Sequence, residues 1–451
     1  MRYDLGHKRT GRRDVDSTAY KAAFPNLSAS NTYSGYMLTK NLDFQDGTHY
    51  NDSTTNNPKW TTGAGWDRIG FYVGSRVNAA FTGTFDGKGY TIANLYLKKT
   101  TSGGGNNIGY SNTLSSVLSA FGGGRIGLFG YTSGAAIKNL GLVNPNVINT
   151  DEAQRSVGDE YVGSLIEYQE NGTTTACYVS GGTATGYTYV VGGLVGQQSD
   201  GAISNCYVSG GSSTGGTGGT VVGGLVGTSD DKITACYVTG RTINGEGFSR
   251  IGGLVGQQSG SEENITACYV SGGTVTGKAD ANAGGLIGFQ ADTTTACYVF
   301  GTTVTGGTSS SLVGRLFGDG TVNACYAGGR DYSFLLGVGN NAMVTNGYFQ
   351  RATPSTFGGK TATQLRLPTA YSGIYENWNL NIDGNAGADN PWNFGTASQY
   401  PILHIDFNGD GKKDDDIARQ AAFAQIGEIV PAGMIPINNL EQLNAIRYGL
   451  E

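Results

Sequence analysis

Six cysteines recur through the middle of the chain, and a tyrosine follows each of them. They are Cys177, Cys206, Cys236, Cys268, Cys297 and Cys325. Zinc sites typically use C-x-x-C pairs with histidine partners, but no such pair occurs and the chain has only three histidines. The cysteines lie 28 to 32 residues apart, a spacing typical of a stacked structural repeat. We therefore interpret them as buried apolar positions of a repeat, and a disulfide framework or a metal site as the weaker alternatives.

A second candidate for chemistry is the acidic stretch DFNGDGKKDDD, which begins at Asp406. Its acids, its asparagine and its glycine follow the spacing of a calcium-binding loop, although position twelve is Ile417 instead of a bidentate acid. Asp416, one position earlier, is a candidate substitute. The predicted oxygen ligands are Asp406, Asn408, Asp410, Lys412 through its carbonyl, and Asp414. We expect a structural Ca²⁺ site that stiffens the link after the repeats, and the alternative is a solvated acidic loop.

The tyrosines next to the cysteines form a third candidate. Alternation along a strand turns them to the side opposite the cysteines. They are Tyr178, Tyr207, Tyr237, Tyr269, Tyr298 and Tyr326. Rings in coils stacked about 4.8 Å apart are able to stack on one another. We expect this ladder, meaning the equivalent side chains of successive coils, to bind glycan rings, another solenoid or a covering loop, and the alternative is mutual stacking that supports the fold.

The composition narrows the class of protein. Only 38% of the 451 residues are hydrophobic, 76 are glycine and 14% are charged, which argues against one large globular core and is typical of β repeats with frequent turns. A net charge of −6 gives no electrostatic reason to expect nucleic acid or an anionic membrane as a partner. The chain contains no run of about 18 apolar residues, so no membrane span is predicted.

Two further short segments repeat with the cysteines. A VGGLVG-like segment precedes each cysteine unit, and a Thr/Val segment follows it. Three short β-prone runs in about 30 residues predict an all-β fold, a right-handed parallel β-helix (β-solenoid) with irregular N- and C-terminal caps. In AISNCYV, Asn205 marks a corner that needs a left-handed residue, after which Cys206 points inward and Tyr207 outward. Leu95 and Leu140 occupy the cysteine position in earlier coils, which indicates a site for a small hydrophobic residue.

The expected organisation has five parts. They are an N-terminal cap at 1–60 with a helix at Ser17 to Phe24, the solenoid at 61–350, a closing segment at 351–403, the calcium loop at 404–417 and a linking tail at 418–451. The first residues lack the apolar segment of a signal peptide. Either export is encoded elsewhere, or the chain is a piece of a longer protein.

Between about Ile126 and Phe349 the repeats resemble the GLUG motif family, through GGLVG segments followed by Ile-x-Asn-Cys-Tyr-like elements. The resemblance implies a large secreted or surface-bound bacterial protein, such as an adhesin, and some relatives are IgA-cleaving metallopeptidases. This chain has no HExxH zinc motif, and acids are sparse across its coils. We therefore expect a non-enzymatic structural or adhesive protein, extracellular or on the bacterial cell surface, with glycan binding by the tyrosine ladder as the alternative.

The two ends of the sequence resemble each other. MRYDLG at the start is similar to IRYGLE at the finish, and the segment from Ile435 resembles the introduction of a further unit. Either the chain is one module of a tandem array, or its tail docks onto the next copy to give a head-to-tail fibre. The basic HKRTGRR segment at His7 could pair with the acidic loop in such a contact, although a solvated segment is the alternative.

Overall fold

The computed structural model describes residues 24, 33–45, 66, 68–73, 77–99, 126–149, 161–187, 190–217, 220–260, 264–339, 343–355, 358–366, 374–375, 378, 391–393, 400–403 and 433–449. Their strands wind into a parallel β-solenoid, as the repeat predicts. Four parallel sheets run along it, because each coil hydrogen-bonds through its backbone to the equivalent strands of its neighbours.

The largest sheet, here the long sheet, has 17 strands. It contains both the strand after each VGGL turn and the strand before each cysteine. Its strands are Gly35–Leu38, Thr84–Asp86, Phe129–Ser133, Ala136–Lys138, Ile166–Thr175, Val195–Ser204, Val226–Ser229, Lys232–Thr234, Val255–Gln258, Asn264–Thr266, Ile287–Gln290, Thr293–Thr295, Val313–Leu316, Thr321–Asn323, Leu336–Gly339, Met343–Thr345 and Met434–Ile437.

The tyrosine sheet, which carries the predicted tyrosine ladder, has 11 strands. They are Leu42–Asp43, Thr91–Ala93, Gly141–Val143, Tyr178–Ser180, Tyr207–Ser209, Tyr237–Thr239, Tyr269–Ser271, Tyr298–Phe300, Tyr326–Gly328, Tyr348–Gln350 and Gly359–Lys360.

Two smaller parallel sheets close each coil. The Thr/Val segments form seven strands: Tyr96–Lys99, Asn146–Asn149, Thr183–Gly186, Ser212–Gly215, Thr242–Asn244, Thr274–Thr276 and Thr303–Thr305. The strands of the VGG segments are Tyr161–Gly163, Val190–Gly192, Val221–Gly223, Arg250–Gly252, Asn282–Gly284 and Thr308–Ser310. Two antiparallel pairs lie apart from these sheets, Phe71–Val73 with Val77–Ala79 and Trp392–Asn393 with Ile402–Leu403.

The interior is one continuous apolar core that follows the solenoid axis. Side chains at equivalent positions of successive coils form ladders, for example Ile203, Ile233 and Ile265, which pair in register. All six cysteines lie in this core as buried, free thiols, so the predicted buried cysteine positions are confirmed. Leu95 and Leu140 are buried in the same core.

The corner before each cysteine has a left-handed backbone. Asn205 has φ 54°, as expected for asparagine at this corner, and Asn94 and Asn139 have φ 58° and 54°. Alanine occupies the corner in five other coils: Ala176, Ala235, Ala267, Ala296 and Ala324, all with φ between 49° and 55°. A left-handed conformation costs an L-residue with a Cβ about 1 kcal/mol. The fold therefore holds strained alanines where the sequence offers no turn residue.

The two glycines of each VGGLVG segment allow the chain to turn tightly against itself. A Cβ on Gly223 would lie 1.8 Å from the carbonyl oxygen of Val226. A Cβ on Gly224 would lie 2.0 Å from the carbonyl oxygen of Gly253 in the next coil. No side chain fits at either position, so the glycines follow from the tightness of the coil.

Both ends of the solenoid extend beyond the predicted boundaries. Gly35–Leu38 already pairs with Thr84–Asp86, and Gly359–Lys360 still pairs with Tyr348–Gln350. The limits at residues 60 and 350 are therefore corrected outward. A short helix, α1 (Ala362–Leu365), follows with a capping box at Thr361. Of the helix predicted at Ser17 to Phe24, all but Phe24 lies outside the described residues.

The predicted linking tail returns to the opposite end of the solenoid. Its strand Met434–Ile437 pairs in parallel with Gly35–Leu38. It is followed by helix α2 (Leu440–Gly449), whose Leu443 and Ile446 are buried in the solenoid core. Within the described ranges, no helix combines the length and apolar character needed to cross a bilayer.

Candidate functional site

The cysteine ladder joins backbone and side chains of successive coils. The N–H of Cys177 donates to Sγ of Cys206 at 3.4 Å, and the contact repeats at 3.3–3.4 Å as far as Cys325. Sγ of Cys236 lies 3.2 Å from the carbonyl oxygen of Thr234, to which its thiol donates. Burial raises the pKa of the Cys206, Cys236 and Cys297 thiols well above the usual value. These thiols therefore stay protonated at neutral pH, which suits packing and disfavours nucleophilic or metal chemistry.

The tyrosine ladder lies outside the coil interior, as predicted, and forms a separate cluster with the corner alanines Ala267, Ala296 and Ala324. Successive rings from Tyr178 to Tyr326 are nearly parallel, with centroids 4.8–5.3 Å apart and interplanar angles of 0–9°. The spacing follows the distance between paired strands, so the backbone register sets the stacking.

At one end of the ladder a glycine replaces the ring. Gly141 pairs with Tyr178, and a Cβ on Gly141 would lie 2.3 Å from Cζ of Tyr178. The Tyr178 ring therefore lies over the glycine of the preceding coil. Tyr178 is half-buried, and burial raises the pKa of its hydroxyl.

The closing segment covers the other end of the ladder. The hydroxyl of Tyr326 donates to the carbonyl oxygen of Pro401 at 2.6 Å. The ring of Trp392 lies 5.9 Å from that of Tyr326 and 6.0 Å from that of Tyr298. Trp378 packs against Trp392 at 4.8 Å and donates from Nε1 to the carbonyl oxygen of Asn346. The closing segment thus holds the last coils with an aromatic cover.

Burial changes the interpretation of the ladder as a binding surface. Tyr269 is only 1% exposed. Four others are also buried: Tyr207, Tyr237, Tyr298 and Tyr326. A buried ring has no free face for a sugar, so the expected exposed surface is corrected at these five positions. Mutual stacking and a covering segment are the contacts observed.

The predicted calcium ligands cannot be placed. Asp406, Asn408, Asp410, Lys412 and Asp414 lie outside the described residues, as does the basic segment at His7. In the part of the chain that the structure does describe, no three His, Cys, Asp or Glu side chains come together as a metal site.

A buried glutamine ladder in the long sheet was missed by the sequence interpretation. Its members are Gln169, Gln198, Gln258 and Gln290, with Ser229 in the remaining coil. The Gln169 amide donates to the carbonyl oxygen of Gly172 at 3.1 Å. The hydroxyl of Ser229 donates to Oε1 of Gln198 at 2.9 Å. The glutamine side chains thus form hydrogen bonds with buried backbone groups of the turns, which would otherwise lack a partner. The recurring QQ after VGGLVG was the available signal.

Arg241 was also missed, because one arginine in a turn carries no repeat signal. Its guanidinium is buried and donates to the Ser213 hydroxyl and to the carbonyl oxygens of Gly210 and Ser212, at 2.6–2.9 Å. Burial lowers its pKa to about 9. The arginine thereby joins two neighbouring coils at the start of the Thr/Val strands.

An exposed aromatic and cationic patch combines residues of the long sheet with Arg250, which lies in a VGG strand. Phe317 is 58% exposed and its ring stacks on Phe289 at 5.9 Å. The Arg250 guanidinium carbon lies 4.6 Å from the Phe289 ring centroid, and Arg250 also donates to Oε1 of Gln257. Burial, and then the nearby charge of Arg315, lower the pKa of Arg250. We call these residues the phenylalanine patch; it joins ring faces to two positive charges.

One repeat of this chain matches a known family motif. Residues 187–214 match the model of the GLUG motif. No curated protein sequence matches the chain significantly. Among solved structures, a protein from Bacteroides ovatus described as a "putative immunoglobulin A1 protease" is similar over 70% of this chain and 91% of that chain, with 18% identity and a TM-score of 0.39. The matched residues include the VGG strand Val190–Gly192, one member of the glutamine ladder, Gln198, and the pair Cys206 and Tyr207. The chain is therefore a parallel β-solenoid in which one repeat, at residues 187–214, matches the GLUG motif.

Proposed function

We propose that the chain is a stiff, non-enzymatic structural and adhesive module of an extracellular bacterial surface protein. One observation carries the proposal: parallel pairing continues through the 11 strands of the tyrosine sheet, from Leu42–Asp43 to Gly359–Lys360. At about 4.8 Å between strands, these coils form a rod about 48 Å long. Backbone pairing in several sheets at each coil resists bending, which suits a spacer or a surface for attachment.

The extracellular location rests on the resemblance to GLUG repeats of secreted and surface-bound proteins. The match at residues 187–214 supports it. The sparse, dispersed acids of the coils support the non-enzymatic part of the proposal.

Negative-stain imaging and a binding assay test this proposal together. We expect rod-shaped particles at least about 48 Å long, and we expect beads coated with the folded chain to retain cell-surface glycoproteins or matrix proteins. Beads coated with heat-unfolded chain are the control. Rods without retention would leave a spacer role alone, and particles that are not rod-shaped would contradict the proposal.

The proposal includes a structural Ca²⁺ held by Asp406, Asn408, Asp410, the Lys412 carbonyl and Asp414. A double variant, Asp406→Asn with Asp410→Asn, removes two charged ligands. We expect Ca²⁺ to raise the thermal midpoint of the wild-type chain and not that of the variant, relative to chelator. Asp319→Asn, at an exposed acid of a solenoid turn, is the matched control. Equal thermal midpoints of the wild-type chain in Ca²⁺ and in chelator would show that no Ca²⁺ stabilises the fold.

Glycan binding remains a second candidate, now at the phenylalanine patch. Ring faces pack on the C–H groups of sugars, and the charges of Arg250 and Arg315 favour an acidic sugar. We expect a glycan array to select acidic over neutral glycans. Phe317→Ala should abolish the signal, whereas Phe334→Ala, at another exposed ring, should retain it. Retained binding in the Phe317→Ala variant would exclude the patch.

A further inference from the structure

We propose that the segment Gly433–Gly449, here the tail element, is exchanged between copies of this chain and links them head to tail. The inference rests on the proposed function, because it names the partner of the rod as a second copy of itself. The tail element then completes the first coil of the next copy instead of its own.

The tail element pairs with the first coil as one coil pairs with the next. The register is continuous over four residues, from Gly35 with Met434 to Leu38 with Ile437. The backbone N–H of Ser34 donates to the carbonyl oxygen of Gly433 at 2.8 Å. The backbone N–H of Thr39 donates to the carbonyl oxygen of Ile437 at 3.0 Å. The contact is therefore a backbone extension of the long sheet, independent of which chain supplies the strand.

The tail element also closes the core at that end. Ile435, Ile437, Leu443 and Ile446 are buried, and they join the same apolar cluster as Tyr36. Without them, Gly35–Leu38 would present an unpaired edge above an open core, a state prone to strand addition. The first coil therefore requires a tail element from some chain.

Pro436 fits a strand at the end of a stack. It pairs with Met37 in the register above. Proline has no backbone N–H, so it weakens further pairing at its position and is usual on edge strands. The tail element thus extends the long sheet by one strand and limits growth past it.

Distance allows the tail to reach either its own first coil or that of a neighbour. In the tyrosine sheet, the strand Tyr326–Gly328, next to Pro401, lies eight steps from Leu42–Asp43. Eight steps are about 38 Å. The connection at 404–432 has about thirty residues and can span up to roughly 100 Å. Both closures use the same contacts, so exchange loses no buried contact. A head-to-tail contact is heterologous, so each copy can add a further copy.

A mixing experiment tests the exchange with the full chain. Thr39 and Asn438 follow the paired residues Leu38 and Ile437 on the two strands, and Asn438 is exposed. One preparation carries Thr39→Cys and another carries Asn438→Cys. They are mixed in denaturant with reductant, refolded together at increasing concentrations and treated with a short bis-maleimide crosslinker. We expect a covalent species of twice the chain mass that increases with concentration.

Three controls make the outcome decisive. The wild-type chain, whose cysteines are buried, reports crosslinking of the native thiols. A mixture of Thr39→Cys with Lys232→Cys, an exposed position on the side of the rod, reports random collision. The double variant Thr39→Cys/Asn438→Cys reports closure within one chain. Crosslinking only within the double variant would overturn the exchange and leave the rod function intact, whereas no crosslinking in any sample would overturn the pairing itself.

Discussion

The backbone N–H of Cys206 donates to the sulfur of Cys236, which lies 3.4 Å away in the next coil. The amide precedes a strand and follows Asn205, whose left-handed φ of 54° forms the corner. The cysteine sulfur is therefore both an apolar filler and the acceptor for an inward-facing amide. A hydrocarbon side chain could replace only the first of these roles.

Replacing a cysteine whose sulfur accepts a hydrogen bond should lower the free energy of unfolding more than replacing the cysteine at the end of the ladder, whose sulfur accepts none from an amide of the described residues. In Cys236→Val the buried N–H of Cys206 loses its acceptor, which costs about 1 kcal/mol beyond the change in packing. Cys177→Val is the matched variant, because Cys177 is equally buried and no amide N–H within the described residues donates to its sulfur. Urea unfolding of the two variants measures the difference. Equal losses would show that the sulfur acts by packing alone.

Stability should fall as the solution becomes alkaline. Burial raises the pKa of the Cys206, Cys236 and Cys297 thiols, whereas thiols of the unfolded chain ionise near their ordinary pKa of 9.0. Below pH 9.0 both states keep these protons, so the thiols add no pH dependence. Above it, only the unfolded state loses them, and each thiol destabilises the fold by up to about 1.4 kcal/mol per pH unit.

Urea midpoints measured from pH 8 to pH 10 check this expectation. Cys236→Val should reduce the slope of the unfolding free energy against pH by the contribution of one thiol. Val238→Ala, a cavity variant in the same coil, should lower the free energy at every pH without changing the slope. A Cys236→Val slope equal to that of the wild type would contradict the assignment.

The tyrosine ladder should contribute to stability in proportion to burial. Tyr269 is buried between Tyr237 and Tyr298, at 4.9 and 4.8 Å. Tyr269→Ala should cost about 3–5 kcal/mol through the cavity it leaves. Tyr178→Ala, at the half-buried end of the ladder, should cost clearly less. Chemical unfolding monitored by tyrosine absorbance compares the two, and a larger loss at Tyr178 would show that burial does not govern the ladder.

Corner residues should respond in opposite directions to exchange of alanine and asparagine. Ala176 and Asn205 are both half-buried corners, with φ 51° and 54°. Asparagine tolerates this conformation better, so Ala176→Asn should stabilise by about 1 kcal/mol and Asn205→Ala should destabilise by a similar amount. Thermal midpoints of both variants provide the test. Changes of the same sign would rule out backbone strain as the controlling factor.

Substitutions of two glycines by alanine should separate the effect of a steric clash from that of a left-handed backbone. Gly223→Ala places a Cβ 1.8 Å from a carbonyl oxygen, and we expect it to prevent stable folding of that coil. Gly210 has φ 62° with nothing within 4 Å of the added Cβ, so Gly210→Ala should cost only about 1 kcal/mol of strain. Soluble yield and urea midpoint distinguish them. A well-folded Gly223→Ala chain would contradict the tight turn.

Much of the fold could be predicted from the sequence repeat alone. Because one coil contains one repeat, the 28 to 32 residue spacing of the cysteines predicts stacked strands, buried cysteines and stacked tyrosines. The corner before Cys206 was equally readable, since Asn205 is a residue type that favours left-handed backbone. The glutamine ladder repeats with the same period, but glutamine is usually exposed, so the sequence did not indicate that these side chains are buried.

Only the tertiary structure decided what covers the repeats. Trp392 packs on Tyr298 and Tyr326, and Ile435 pairs with Tyr36 across almost the whole chain. Contacts of this kind occur once and carry no period, so no pattern in the sequence predicts which surface they bury. A ladder of stacked tyrosines follows from the sequence because neighbouring coils repeat its chemistry. The cover over Tyr298 and Tyr326 does not, because Trp392 lies in a segment outside the repeats.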